Sequence, residues 1–168
     1  MPQVDGLKQA LSAHGYTLLG EEELKITIGT KAYGYTGDDF ANLLRENGVE
    51  CEFSDPDYVV LMLTPALTGE DMEKLKHVLL SIPKREALLD VPPAFSLPKS
   101  VLTVREATFA RDEVILASEA LGRTLATTTV ACPPAVPIIM CGEVIDQAAV
   151  EAFIYYGVST LRVIKNPK

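Results

Sequence analysis

The sequence is short of the residues that build metal and redox centres. Its 168 residues include three cysteines, Cys51, Cys132 and Cys141, and two histidines, His14 and His77. The cysteine spacing matches no CxxC motif, and an odd number cannot pair completely, so reduced thiols and no metal site are expected. No apolar run approaches the ~20 residues of a membrane helix. The start, Met1-Pro2-Gln3-Val4-Asp5, lacks the basic and apolar regions of a secretory signal, so a cytoplasmic protein is expected. Lysine and arginine form no dense cluster, and the net charge is −8, which argues against nucleic acid as a partner. An acidic surface is compatible with a cationic small molecule, or simply keeps the chain in solution.

What remains is an ordinary globular composition, 48% hydrophobic and 23% charged. A chain of this length buries roughly 68–70% of its unfolded surface and suits one medium domain or two small ones. Val4, Leu7, Ala10 and Leu11 recur at helical spacing, and Gly15 ends that helix. His14 falls in its last turn, where a cation suits the dipole. Leu24 to Ile28 alternates as a strand. A loop with Gly29, Gly34 and Gly37 precedes an amphipathic helix from Asp38 to Asn47, with Phe40, Leu43 and Leu44 inward. Asp38 and Asp39 occupy the positive end of that helix and would repel a phosphate, so Thr36-Gly37-Asp38-Asp39 reads as a cap. Strands are expected at Val49–Phe53 and Asp57–Thr64, the latter central and covered on both faces or nearly so. Thr68-Gly69-Glu70-Asp71 repeats the cap and opens a helix to about Ile82, with His77 facing solvent. Residues 1–82 thus read as a small open-faced β-α-β-β-α layer with a helix in front.

Residues 83–98 carry Pro83, Pro92, Pro93 and Pro98 and read as a linker or packed crossing loop. Residues 99–168 read as a mixed α/β C-terminal domain, making the whole α+β. Within it a short helix is expected near Leu116–Leu121, a strand at Arg123–Val130, a helix capped by Asp146 with Val150, Phe153 and Ile154 inward, and a last strand at Leu161–Ile164. Glu119 and Arg123, four apart, suit a helix-end ion pair.

The most unusual stretch is Ala131 to Asp146, Ala-Cys-Pro-Pro-Ala-Val-Pro-Ile-Ile-Met-Cys-Gly-Glu-Val-Ile-Asp. Pro133 and Pro134 remove two donors and stiffen the entry, and Pro137 forces Val136 into extended backbone. Ile138-Ile139-Met140 then reads as a short buried strand, Gly142 as a sharp turn or close approach, and Glu143 as a carboxylate on rigid backbone. Cys132 and Cys141 flank it among acids and apolar residues, without the base or positive field that a nucleophilic thiol needs.

This pattern, Pro-Pro-x-x-Pro-Ile-x-x-x-Gly-Glu-x-Ile, resembles the signature near the end of the Orn/Lys/Arg decarboxylase family, the bacterial pyridoxal-phosphate (PLP) enzymes of basic amino acids. Val104-Arg105-Glu106-Ala107-Thr108-Phe109-Ala110 and Ala120-Leu121-Gly122-Arg123-Thr124-Leu125-Ala126 resemble two further segments of that family, in the same order. Residues 1–82 resemble the small domain that follows its PLP domain. Ala135, Cys132 and Cys141 depart from the family's usual glycine, tyrosine and proline.

The resemblance implies a C-terminal portion only. The family's PLP lysine follows a histidine, and neither His14 nor His77 precedes a lysine. No catalytic, cofactor or metal residue is therefore expected in this chain, and PLP would belong to the intact parent. The implied role is to shape the substrate entry channel and the site for the distal cation of ornithine, lysine or arginine. Glu143 is the candidate for that cation, with Gly142 and Pro134 beside it. The structural alternatives for Glu143 are a pair with Arg105 or Arg123, or a cap on the helix near Asp146. The implied partners are the parent's PLP domain and further copies in a homodimer or higher homo-oligomer. A stand-alone small-molecule-binding or interaction module without PLP chemistry is the alternative function.

Overall fold

Two threonine caps and a stack of tyrosines organise the first half of the chain. A computed structural model describes residues 2–94, 96–128 and 136–165, and they fall into two units divided between Asp90 and Val91. The first unit runs α1 (Pro2–His14), β1 (Thr17–Leu19), β2 (Lys25–Gly29), α2 (Gly37–Glu46), β3 (Phe53–Ser54), β4 (Tyr58–Met62) and α3 (Gly69–Ser81). The Thr36 hydroxyl accepts the Asp39 N–H, and Thr68 and Asp71 form a reciprocal capping box, so both helices begin where the sequence places them.

The four strands form an antiparallel sheet in the order β1-β2-β4-β3. Leu19 pairs with Thr27, Thr27 with Val60, and Val60 with Phe53. The alternate residues Ile26, Ile28, Val59 and Leu61 are buried against Leu11, Phe40, Leu44 and Leu79, each side chain stabilising the core by about 1.5–3 kcal/mol. β4 lies inside the sheet as expected, but it is covered on one face, since Tyr58 and Met62 are exposed. Its continuous apolar run masks a period of two.

One further expectation is corrected here, and one element is added. The Val49–Phe53 strand contracts to Phe53–Ser54, because the Val49 N–H instead bonds back to Leu44 O at the end of α2. β1 is an addition to the expected elements; its three residues are too few to show alternation.

Tyr16 and Tyr33 stack at 4.1 Å, and Phe40 meets Tyr16 and Tyr35 edge-on. Their hydroxyls close the end of α3. Tyr16 donates to Leu79 O at 2.6 Å, Tyr33 to Ile82 O at 3.1 Å and Tyr35 to Pro83 O at 2.8 Å. The last carbonyls of a helix have no partner within it, and here aromatic side chains supply the donors. Burial, reinforced by Tyr33, pushes the Tyr16 phenol upward.

The proline-rich segment does not behave as one linker. Residues 83–90 belong to the first unit. The Arg85 and Leu88 N–H groups donate to Tyr33 O and Lys31 O, the Arg85 guanidinium lies over the Tyr35 ring, and Lys31 Nζ meets Asp90 at 2.7 Å and Asp57 at 2.9 Å. A Cβ on Gly34 would stand 2.5 Å from Arg85 Cβ, so glycine is required for this strap to lie down.

The second unit runs α4 (Val104–Phe109), β5 (Asp112–Leu116), α5 (Gln147–Tyr155) and β6 (Thr160–Ile164). β5 pairs antiparallel with β6, Val114 opposite Arg162. Leu125, Ile145, Phe153, Leu161 and Val163 form its buried centre. Instead of a helix near Leu116–Leu121 there is a strand to Leu116 and one 3₁₀ turn, Ala117–Glu119. Instead of a strand from Arg123 there are single bridges, Thr124 to Val144 and Leu125 to Val163. Ile154 points outward at 57% exposure; it is Ala149 that completes the inner face of α5.

Candidate functional site

Glu143 sits on a narrow ribbon bonded along both sides. Val144 N–H donates to Lys99 O on one side, while on the other Leu125 N–H donates to Glu143 O and Ile145 N–H to Arg123 O. Gly142 is the tightest point. Its N–H donates to Leu125 O at 2.8 Å, and its carbonyl accepts from Val101 at 2.9 Å and Leu102 at 3.1 Å. Its φ is +89°, and an added Cβ would lie 2.2 Å from Leu102 O. Only glycine satisfies both conditions. The rigidity expected of the prolines is thus supplied, at Glu143 itself, by this backbone mesh.

The expected strand Ile138–Met140 is a bend instead. Ile139 is buried, Ile138 is half-buried and Met140 is 43% exposed. Pro137 cannot donate to a ladder, and the Met140 N–H is taken by the Glu143 carboxylate at 2.7 Å while Glu143 N–H returns to Met140 O at 3.2 Å. Glu143 therefore closes its own turn through Oε2. Neither arginine weighed as its partner pairs with it. Arg123 reaches Glu113 at 2.6 Å and Ile164 O at 2.8 Å, which also replaces the expected Glu119 pair, and Arg105 lies over the exposed Phe109 ring at 5.5 Å. Nor does Glu143 cap α5: Asp146 does so, accepting the Ala149 N–H at 2.8 Å. Among the described residues no hydrogen bond reaches Oε1 of the half-buried Glu143 carboxylate, which can accept from a cation.

Asp146 is held from behind by the Ser96 hydroxyl at 2.5 Å, a bond that, with the Ala149 N–H, keeps its carboxyl below the usual range. Nothing in the sequence pairs Ser96 with a residue fifty positions on. A second unexpected contact is legible in the sequence. Thr103-Val104-Arg105-Glu106 is a capping box, with Glu106 accepting from Thr103 N–H at 2.8 Å and from its hydroxyl at 2.7 Å, which lowers the Glu106 carboxyl. Cys141 bonds to Thr128, whose Oγ1 accepts its N–H at 3.1 Å. Pro134 and Cys132 lie outside the described residues. Among the described residues no group of three histidine, cysteine or acidic side chains could hold a metal, and no helix is long and apolar enough to cross a membrane.

The fold is one shared with part of the lysine decarboxylases. The chain superimposes on the Francisella novicida lysine decarboxylase with a TM-score of 0.62 at 15% identity, covering 86% of this chain and 31% of that one. On lysine decarboxylase A from Pseudomonas aeruginosa the TM-score is 0.61 at 16% identity, covering 88% and 31%. The relatives in sequence are arginine decarboxylases. That of Bacillus subtilis (strain 168) is 32% identical over 130 residues, 73% of this chain and 26% of the relative. That of Halalkalibacterium halodurans is 28% identical over 131 residues, 74% and 27% respectively. No family model matches the chain. The chain therefore spans about a quarter of the length of the curated relatives it matches, and its likeness is to a segment of basic amino-acid decarboxylases.

Proposed function

We propose that this chain is the C-terminal segment of a PLP-dependent decarboxylase of a basic amino acid, shaping the entry to a site whose catalytic half lies elsewhere. One observation carries the reading: nearly three quarters of the chain aligns, at 32% identity, with about a quarter of an arginine decarboxylase. A Schiff-base lysine must present a free amine, and the most enclosed ion-paired lysine, Lys31, has its ammonium between Asp57 and Asp90. The cofactor and the chemistry belong to the remainder of the enzyme.

Within that reading Glu143 selects the substrate's distal cation. Its carboxylate is oriented by the Met140 N–H through one oxygen, and its backbone is fixed on both sides. A charge-assisted bond from such a group is worth roughly 1.5–3 kcal/mol, about ten- to hundred-fold in affinity. The enzyme would be cytoplasmic and a homodimer or larger, with the PLP domain as this segment's partner.

The test begins with the native polypeptide, detected in its source cell by an antibody raised to this chain. A band several times larger than 18.2 kDa is expected. In that intact enzyme, Glu143→Gln should raise KM for the basic amino acid at least tenfold with a smaller effect on kcat. A native band at 18.2 kDa would instead favour a free-standing binding module.

A further inference from the structure

We infer that the free edge of β5 is a docking edge for a second copy of this chain, which adds its own β5 antiparallel across a two-fold axis. The inference is independent of the decarboxylase reading. The backbone of the second unit forms a continuous hydrogen-bonded band. β5 pairs with β6; β6 is held on its other side by Ala126 N–H to Arg162 O and Ile164 N–H to Thr124 O; residues 123–125 bond to 143–145, and 144 to Lys99. One end of this band closes on the segment 99–102. The other end is β5, whose outer edge carries no further strand among the described residues.

The register decides which groups face outward. Ala117 N–H donates to Ser159 O and Lys165 N–H to Arg111 O, so odd-numbered residues of this strand bond to β6. Antiparallel pairing alternates, so Asp112, Val114 and Leu116 aim their N–H and C=O groups away from β6. Among the described residues no backbone bond beyond β6 reaches Asp112 or Val114, and Leu116, at the end of the strand, leads into the 3₁₀ turn Ala117–Glu119. Their side chains include Val114 at 58% and Leu116 at 50% exposure. Natural edges are normally blunted by proline, lysine, a bulge or an unpaired inward charge. β5 has none of these: its two acids are neutralised within the chain, Asp112 by Arg162 at 2.9 Å and Glu113 by Arg123 at 2.6 Å.

The strand is also self-complementary. Pairing centred on Val114 sets Val114 against the second copy's Val114, Asp112 against its Leu116, and Glu113 against its Ile115. No like charges stand opposite one another, and the three outward residues of each copy meet as hydrogen-bonded pairs, with Cα atoms ~5.5 Å apart, within reach of a disulfide.

The geometry is tested on the full chain with Cys51, Cys132 and Cys141 replaced by serine, after circular dichroism has shown an unchanged fold. Val114→Cys should form a self-disulfide dimer on mild oxidation, while Leu116→Cys should cross-link only when Asp112→Cys is also present. In sedimentation equilibrium of the otherwise unaltered chain, Val114→Lys should weaken self-association at least tenfold, and Val114→Thr should leave it nearly unchanged. A monomer at all concentrations with no Val114→Cys cross-link would overturn the proposal. So would a dimer indifferent to Val114→Lys.

Discussion

Gly142→Ala is the sharpest probe of the ribbon that carries Glu143, because Gly122 supplies a matched control. Both glycines have positive φ, +89° and +77°. A Cβ at Gly122 meets nothing within 4 Å, whereas at Gly142 it meets Leu102 O at 2.2 Å. Gly122→Ala should therefore cost only the left-handed backbone penalty, about 1–2 kcal/mol. Gly142→Ala adds a clash with backbone that cannot swing aside. Relieving it separates residues 101–102 from residue 142 and weakens two or three hydrogen bonds, each worth about 1 kcal/mol. The total is about 3–5 kcal/mol, a large share of the ~5–15 kcal/mol of a typical domain. Urea unfolding followed by the NMR amide signals of Leu125, Ile145 and Val163 would report on this unit alone. With a slope of about 1.5 kcal/mol per molar, the Gly142→Ala midpoint should fall by ~2–3 M and that of Gly122→Ala by ~1 M. Equal midpoints for the two variants would refute the idea that close approach, rather than turn geometry, fixes Gly142.

Tyr16→Phe should lower the stability of the first unit by about 1–3 kcal/mol, because Leu79 O loses a buried donor; a thermal melt at least 5 °C lower is expected, and no change would mean that water replaces the hydroxyl. The depressed Asp146 carboxyl stabilises the folded state above its unfolded pKa, near 4, and that contribution is lost as pH falls through the lower folded value. Asp146→Asn should thus be less stable than the natural chain at pH 7 and converge with it as pH falls through the lowered carboxyl value, as read by melting temperature against pH. Burial pushes the Cys51 thiol up to about 11, so its peptide should alkylate at pH 8 at least tenfold more slowly in the folded chain than in urea, by mass spectrometry; equal rates would place Cys51 in contact with solvent.

Helix starts are legible because the cap is local. Thr36 and Thr68 are each marked by an aspartate three positions downstream, Asp146 by its own side chain, and the structure places all three as caps. Thr103 carries the same signal in Thr-Val-Arg-Glu, where the stronger resemblance around Arg105 overshadows it. The strands of the second unit are less legible. β5 reads Asp-Glu-Val-Ile-Leu, and its two acids obscure an alternation that depends on Arg162 and Arg123 from elsewhere in the chain. At the candidate site the sequence points to Gly142 and Glu143, but not to the groups that hold them. The proline spacing draws attention to local stiffness, while the restraint comes from Lys99–Leu102 and Arg123–Leu125, which no local pattern links to residue 143. The partner of Arg123 likewise depends on which strand it faces, so a four-residue spacing to Glu119 misleads.

The strap over the tyrosines has a consequence for where this chain can be cut. Divided after Ile82, the residue that follows the last turn of α3, the first half would leave Tyr35 without Pro83 O, the carbonyls of Lys31 and Tyr33 without the N–H groups of Leu88 and Arg85, and the Lys31 ammonium without Asp90. Divided after Asp90, it would keep them all. The first unit is therefore longer than its regular secondary structure, and a limiting protease should be turned away from the Lys84-Arg85 bond, which offers two basic residues in succession, and cut beyond Asp90 instead.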